Sequence, residues 1–154
     1  MSTLTHSESV DVACAPEALY DMVSDVTRMG EWSPVCKACW WTEGDGPAVG
    51  ARFGGRNERP ERTWETISQV VVADRGREFA FSVEPTQTRW GYTFAPVAGG
   101  TEVTESWEFG DHSRAVFAER FGDEAEANVA DRQANARTGM SATLAALKAV
   151  AEGR

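Results

Sequence analysis

Residues 88–110 constrain the fold of this chain more than any other segment. Two runs in which apolar and polar residues alternate lie on either side of Gly99-Gly100, and this pattern predicts a β-hairpin. The side chains that share one face of the hairpin, called the aromatic face below, are Trp90, Tyr92, Phe94, Val103, Glu105, Trp107 and Phe109. Any loop with an even number of residues keeps both rows on the same face, whereas a slip of one residue would turn one row over.

A two-residue turn at Gly99-Gly100 would define the cross-strand pairs of this hairpin. The predicted pairs are Phe94 with Glu105, Tyr92 with Trp107, and Trp90 with Phe109. In every even register a single carboxylate, that of Glu105, is set among large aromatic side chains. The function of the chain then depends on what lies against the aromatic face.

Length and charge limit the functional classes. The 154 residues suit one domain with a sizeable core, and a hydrophobic content of 42% with 25% charged residues is ordinary for a soluble globular protein. The net charge of −9 argues against nucleic-acid binding, which needs a basic face, and against docking on an anionic membrane.

The sequence predicts a cytoplasmic protein without a membrane span. Residues 1–9 have neither a basic region nor an apolar region typical of a secretory signal, and no apolar run approaches the roughly 18 residues of a spanning helix. The three cysteines are an odd number, which suits a reducing compartment.

The order of predicted elements is a strand, two short helices, about six strands in a meander, and one long helix. Strands are predicted at 4–13, 35–41, 49–57, 63–73 and 78–83 and in the two arms of the hairpin; helices are predicted from Ala15, at 26–31 after a cap at Asp25, around Val116 to Phe121, and at 124–152. The last helix is the only element long enough to cover the bulky face of the sheet.

This order resembles the START/Bet v 1-like (SRPBCC) superfamily, and its bacterial polyketide cyclase/dehydrase-like branch in particular. Three stretches carry the resemblance: 15–34, with its Pro-started helix and closing Trp32-Ser33-Pro34, then Gly50-Ala51-Arg52-Phe53, and 99–105. The resemblance covers nearly the whole chain and implies one ligand-binding domain over 1–154. The implied fold is an α+β helix-grip fold, in which a curved antiparallel sheet of about seven strands wraps around a long C-terminal helix and two short helices follow strand 1.

The resemblance also implies a cavity between the sheet and the long helix, where members typically hold lipids, sterols, polyketides or other apolar molecules. Our leading hypothesis is therefore binding of a hydrophobic small molecule, without a cofactor or metal. One alternative is a polyketide aromatase/cyclase that uses Glu105 and Tyr92 as acid/base groups. Another is a non-catalytic protein-interaction module whose cavity has collapsed. The sequence leaves the oligomeric state open, with a homodimer as one option.

Glu105 is the sharpest catalytic candidate, with Tyr92 beside it as a group that could orient a ligand or donate a proton. Burial among aromatic side chains should raise the pKa of the Glu105 carboxyl, as it does in general acids that work near neutral pH. Two other interpretations stay open at this point. The carboxylate could form a salt bridge with Arg132 or Arg137 of the long helix, or it could lie in water at a cavity mouth.

Large apolar residues of the sheet and helices are the predicted ligand-binding residues. They are Trp90, Phe94, Trp107, Phe79, Phe81, Trp64, Trp32, Met140 and Leu144. A solid core is the alternative, but one covering helix can hardly fill the whole concave face of the sheet. Trp32 could gate the cavity or fasten the short helices to the sheet, and of Trp40 and Trp41 at least one should be partly exposed.

The C-x-x-C sequence Cys36-Lys37-Ala38-Cys39 is not expected to form a metal site or a disulfide. Residues three apart on a regular strand face opposite sides, and neither a second C-x-x-C nor a neighbouring histidine is present. Glycines 44, 46 and 50 lack the spacing of a phosphate-binding loop.

Overall fold

The computed structural model describes residues 3–153 and contains one seven-stranded antiparallel sheet with the strand order β1-β7-β6-β5-β4-β3-β2. The strands are β1 Leu4–Val12, β2 Cys36–Glu43, β3 Arg52–Arg59, β4 Arg62–Asp74, β5 Glu78–Glu84, β6 Thr88–Val97 and β7 Gly100–Phe109. Strands β2 to β7 follow one another as a meander, and β1 closes the order beside β7.

Three α-helices complete the fold: α1 Pro16–Ser24, α2 Asp111–Phe121 and α3 Ala125–Ala151. Pro16 begins α1, where its missing N–H leaves no hydrogen bond unmade. A 3₁₀ helix, Val26–Glu31, follows α1, and the Asp25 carboxylate caps it by accepting a hydrogen bond from the backbone N–H of Thr27. The predicted cap and both short helices are therefore confirmed.

The β6–β7 hairpin turns at Ala98-Gly99, one residue before the predicted position. Gly99 has a φ of 84°, in the left-handed region that glycine adopts without steric cost. The predicted pairs were wrong by two residues, because Tyr92 lies opposite Glu105 and Trp90 lies opposite Trp107. A shift of two preserves the face of every side chain, so the aromatic face still points inward.

Helix α3 lies along the inner side of the sheet and contacts β1 and β7, while α1 contacts β5 and β6. The buried apolar side chains of α3 include Val129, Ala136, Met140, Leu144 and Leu147, which lie three, four or seven residues apart and face the sheet. The predicted helix-grip architecture is thus confirmed. None of the helices in residues 3–153 combines the length and the hydropathy that a membrane span requires.

Gly100 offers a test of how tightly the end of β1 meets the β6–β7 hairpin. A Cβ atom at this position would press into the backbone carbonyl of Val12, whereas a Cβ at Gly46 would meet no atom within 4 Å. We expect Gly100→Ala to lower the free energy of unfolding by more than about 2 kcal/mol, because backbone must move to admit the methyl group. Gly46→Ala should change it by less than about 1 kcal/mol. Urea unfolding of both variants measures this, and equal effects would contradict the packing described.

Candidate functional site

A cavity of about 400 Å³ lies between the sheet and α3. Strands β2 to β7, the 3₁₀ helix, α2 and α3 all contribute to its lining. Its aromatic residues are Phe53, Trp64, Phe81, Trp90, Tyr92, Trp107, Phe109 and Phe117. The volume lies within the range of small-molecule pockets in proteins, and the aromatic lining is typical of them.

Seven of the residues selected from the sequence line this cavity. They are Glu105, Tyr92, Trp90, Trp107, Phe81, Trp64 and Met140. Strand parity accounts for the inward side chains of β6 and β7, and Met140 lies on the face of α3 that covers the sheet. Their roles toward a ligand stay predictions, but the structure places them around one space.

Four other selected residues, Phe79, Phe94, Trp32 and Leu144, lie outside the cavity lining. Phe79 and Phe94 pack against the ring of Tyr20, with ring centroids 6.2 and 6.0 Å away, because α1 covers that part of the sheet.

Trp32 and Leu144 belong to the core rather than to the cavity wall. Trp32 is only 3% exposed, which favours fastening of the short helices over gating. Leu144 is equally buried and lies one helical turn beyond Met140, beside Val10 of β1.

Glu105 and Tyr92 form a buried polar pair in the aromatic lining. They lie directly opposite each other on β7 and β6, and the Tyr92 hydroxyl donates a hydrogen bond to Oε2 of Glu105 over 3.1 Å. Glu105 is 4% exposed, and its Oε1 has no hydrogen-bond partner. Among residues 3–153 no lysine or arginine lies within ion-pair distance of Glu105, so the salt bridge with Arg132 or Arg137 is not formed; Arg132 instead meets Asp131 at 3.3 Å.

Burial raises the pKa of the Glu105 carboxyl to about 8, since water is withdrawn from its charged form. The hydrogen bond from Tyr92 lowers the pKa in part, and the charge of Glu8, opposite Glu105 on β1, raises it. Burial likewise raises the pKa of Tyr92 well above its ordinary value. At neutral pH both groups are therefore largely protonated, and the carboxyl can give a proton to a molecule in the cavity.

The expectation that Cys36 and Cys39 face opposite sides was wrong. The pairing of β2 with β3 shifts between Cys36 and Ala38, and this irregularity breaks the alternation of side chains. Both thiols line the cavity with their Sγ atoms 3.0 Å apart. Gly55 on β3 lies next to both thiols, and a Cβ added there would be in van der Waals contact with one sulfur at 3.4 Å and with the other at 3.5 Å. A hydrogen bond between the thiols lowers the pKa of Cys36, and together with burial it raises that of Cys39.

Sequence reasoning missed a group of cationic residues in the cavity lining. Arg59 and Arg62 come from the β3–β4 hairpin, Arg120 from α2 and Arg132 from α3; these four are called the arginine cluster below. No local sequence pattern links them, because they lie in separate elements. The polar turn at 57–62 by itself indicates no more than a surface loop, and Arg132 was considered only as a partner of Glu105.

The chain belongs to the family described as polyketide cyclase / dehydrase and lipid transport, whose family model matches residues 3–152. Among solved structures it is similar to the Polyketide_cyc-like protein Cgl2372 from Corynebacterium glutamicum. The two share 45% sequence identity over 96% of this chain and 91% of that chain, with a TM-score of 0.70.

More distant structures share the fold alone. Protein CV1439 from Chromobacterium violaceum is 15% identical over 96% of both chains, with a TM-score of 0.70. The major latex-like protein 151 from Panax ginseng is 12% identical over 71% of this chain and 80% of that one, with a TM-score of 0.61. No curated protein matches the chain at a significant level.

The raised pKa of Glu105 makes stability depend on pH in a defined window. Below pH 4.5, the ordinary pKa of a glutamate, the carboxyl is protonated in the folded and in the unfolded protein. Between pH 4.5 and about pH 8 only the unfolded protein releases this proton. The free energy of unfolding therefore falls as the pH rises through this window. The side chain at position 105 cannot ionise in the variant Glu105→Gln, so the variant does not lose stability in this way. We expect the variant to gain on the order of 5 kcal/mol over the wild type across the window.

Urea unfolding of the two proteins at several pH values measures this difference. Since all other titrating groups are shared, subtracting the two curves isolates Glu105. Parallel curves would show that the carboxyl titrates normally in the folded protein.

Proposed function

We propose that this protein binds an apolar small molecule in the cavity between the sheet and α3, as a single ligand-binding domain. The observation that carries the proposal is the cavity of about 400 Å³, whose lining includes eight aromatic residues and the buried carboxyl of Glu105, which is largely uncharged at neutral pH. Membership of a family that includes lipid transport supports it.

The arrangement of the lining favours a ligand with a flat or extended apolar body. Trp90 and Trp107 are cross-strand neighbours on the same face, so their rings offer adjoining apolar surfaces. Oε1 of Glu105 is a buried atom without a hydrogen-bond partner, and it provides one polar anchor for a carbonyl or hydroxyl group. Such a ligand would satisfy the group that the folded protein leaves unpaired.

An interaction module with a collapsed interior is less compatible with this geometry. That alternative requires the sheet and α3 to meet across a filled interface. The described residues instead line a space with room for a ligand.

Gly139 offers a way to fill the cavity from the helix side. It lines the cavity on α3, and the nearest atom to an added Cβ would be Cγ of Pro34 at 4.0 Å. We expect Gly139→Leu to weaken binding of the neutral fluorescent probe N-phenyl-1-naphthylamine at least about tenfold, since the leucine side chain occupies ligand space. Stability should stay equal or rise, because leucine favours the helix over glycine by about 1 kcal/mol.

Gly139→Ala is the matched control, because its single methyl group gives the same helical preference with little added volume. We expect its probe affinity to stay within about threefold of the wild type. Native mass spectrometry of the purified proteins should show a co-purified ligand in the wild type and its loss in Gly139→Leu. Unchanged probe binding in Gly139→Leu would place the binding site elsewhere.

The Glu105–Tyr92 pair favours a second candidate function, an aromatase/cyclase acting on a poly-β-ketone chain. Ring closure of the aldol type removes a proton from a methylene carbon, joins that carbon to a carbonyl carbon, and adds a proton to the carbonyl oxygen. A carboxyl with a pKa of about 8 can supply the proton to the oxygen, and its carboxylate form can remove the proton from the methylene group. The cavity would hold the two carbons close together.

Glu105→Gln tests this second function. We expect turnover of a poly-β-ketone thioester to fall at least about a hundredfold, because an amide cannot exchange the proton. Its affinity should stay within about threefold, since glutamine keeps the shape and the contact with Tyr92. The comparison uses single-turnover rates and equilibrium binding of the same thioester. Normal turnover in the variant would exclude Glu105 as the acid/base group and leave the binding function intact.

A further inference from the structure

The arginine cluster brings four positive charges to the lining of one cavity in a chain whose net charge is −9. Two of its members come from the sheet and two from the helices, so they face the cavity from opposite sides. Arg62 and Arg120 are exposed, while Arg59 and Arg132 are half-buried. The cluster therefore lies where the cavity meets the surface, away from the buried pair of Glu105 and Tyr92.

Arg59 and Arg62 are directly opposite each other in the register of β3 and β4. Like charges in this position destabilise a hairpin. Within residues 3–153, Arg59, Arg62 and Arg120 take part in no ion pair, and Arg132 meets only the exposed carboxylate of its neighbour Asp131. The fold thus leaves most of the positive charge of the cluster uncompensated.

Aromatic rings support two of the guanidinium groups. Arg62 lies 4.1 Å from the ring centroid of Trp64, and Arg132 lies 5.5 Å from that of Phe117. Stacking on a ring orients a guanidinium group while its N–H donors stay available. Both rings also line the cavity, so the stacked groups are positioned at the edge of its apolar wall.

The surroundings of Arg132 show that the cluster is electrostatically unfavourable without a partner. Burial lowers the pKa of its guanidinium group, and the charges of Arg62, Arg59 and Arg120 lower it further. The charge of Asp131 acts in the opposite direction, but this carboxylate is exposed to water. An anion between the two pairs of arginines would relieve this repulsion and accept paired hydrogen bonds from the guanidinium groups.

We propose that the arginine cluster binds the anionic group, a carboxylate or a phosphate, of an amphipathic ligand whose apolar body occupies the cavity. This inference rests on the proposed binding function and specifies the class of ligand. The apolar part lies against Trp90 and Trp107, and the anionic end stays at the opening, where water and arginine side chains solvate it. The buried protonated carboxyl of Glu105 imposes no negative charge on the path between them.

Three probes with the same alkyl chain test the proposal: dodecanoate, dodecyl phosphate and dodecanol, each below its micelle-forming concentration. Their affinities are measured by displacement of N-phenyl-1-naphthylamine. We expect the wild type to bind at least one anion about tenfold or more tightly than dodecanol, with a preference that declines as salt is added. The stronger of the two anions distinguishes carboxylate from phosphate recognition.

The variant Arg62→Gln/Arg132→Gln removes one arginine from each side of the opening. We expect its preference for the anions over dodecanol to drop to about threefold or less, because the anions lose more affinity than dodecanol does. The control Arg56→Gln/Arg75→Gln removes the same charge from exposed ion pairs with Glu58 and Asp21, outside the cavity lining, and should keep the full preference.

The results separate this inference from the proposed function. If dodecanol binds as tightly as both anions, or if the control loses the preference as much as the test variant, the arginine cluster is not an anion site and apolar binding stands. If the test variant weakens all three probes equally, the arginines maintain the cavity rather than select a charge. If neither the three probes nor N-phenyl-1-naphthylamine binds the wild type, the proposed function fails as well.

Discussion

The antiparallel register of β6 and β7 is the constraint on which the site depends. It places Tyr92 opposite Glu105 inside the sheet, so that a carboxyl group is held among aromatic rings with one hydrogen bond and no opposite charge. A charged carboxylate would be energetically costly there. Burial therefore raises the pKa of the Glu105 carboxyl to about 8, so the group keeps its proton at neutral pH. The chemistry of the cavity follows from this neutral, polar point in an apolar wall.

The cavity is electrostatically divided. Its interior contains aromatic rings, two thiols, buried hydroxyl groups and a carboxyl that is largely protonated at neutral pH, whereas the arginine cluster provides positive charge near the surface. The charged opening and the less polar interior are compatible because the guanidinium groups stay in contact with water at the opening, whereas the groups of the interior are largely uncharged. A ligand with an apolar body and an anionic end matches this division.

Much of the fold could be predicted from local patterns, and the failures have local causes. Strand parity identified the inward side chains of the hairpin, but the register was wrong by two residues because the turn used Ala98-Gly99, a choice that local sequence leaves open. The two cysteines of β2 were assigned to opposite faces because parity assumes a regular strand, and the irregular pairing with β3 brings them together. Phe79 and Phe94 point inward as predicted but lie under α1.

The sequence by itself determined the order of elements, the aromatic face and the presence of Glu105 within it, since these depend on periodicities of two and 3.6 residues that operate over short distances. Only the tertiary structure decided that Glu105 meets Tyr92 rather than an arginine, that the thiols share the cavity, and that Arg59, Arg62, Arg120 and Arg132 converge at its opening. Such contacts depend on how segments distant in the sequence pack in three dimensions, and no short-range sequence pattern encodes them.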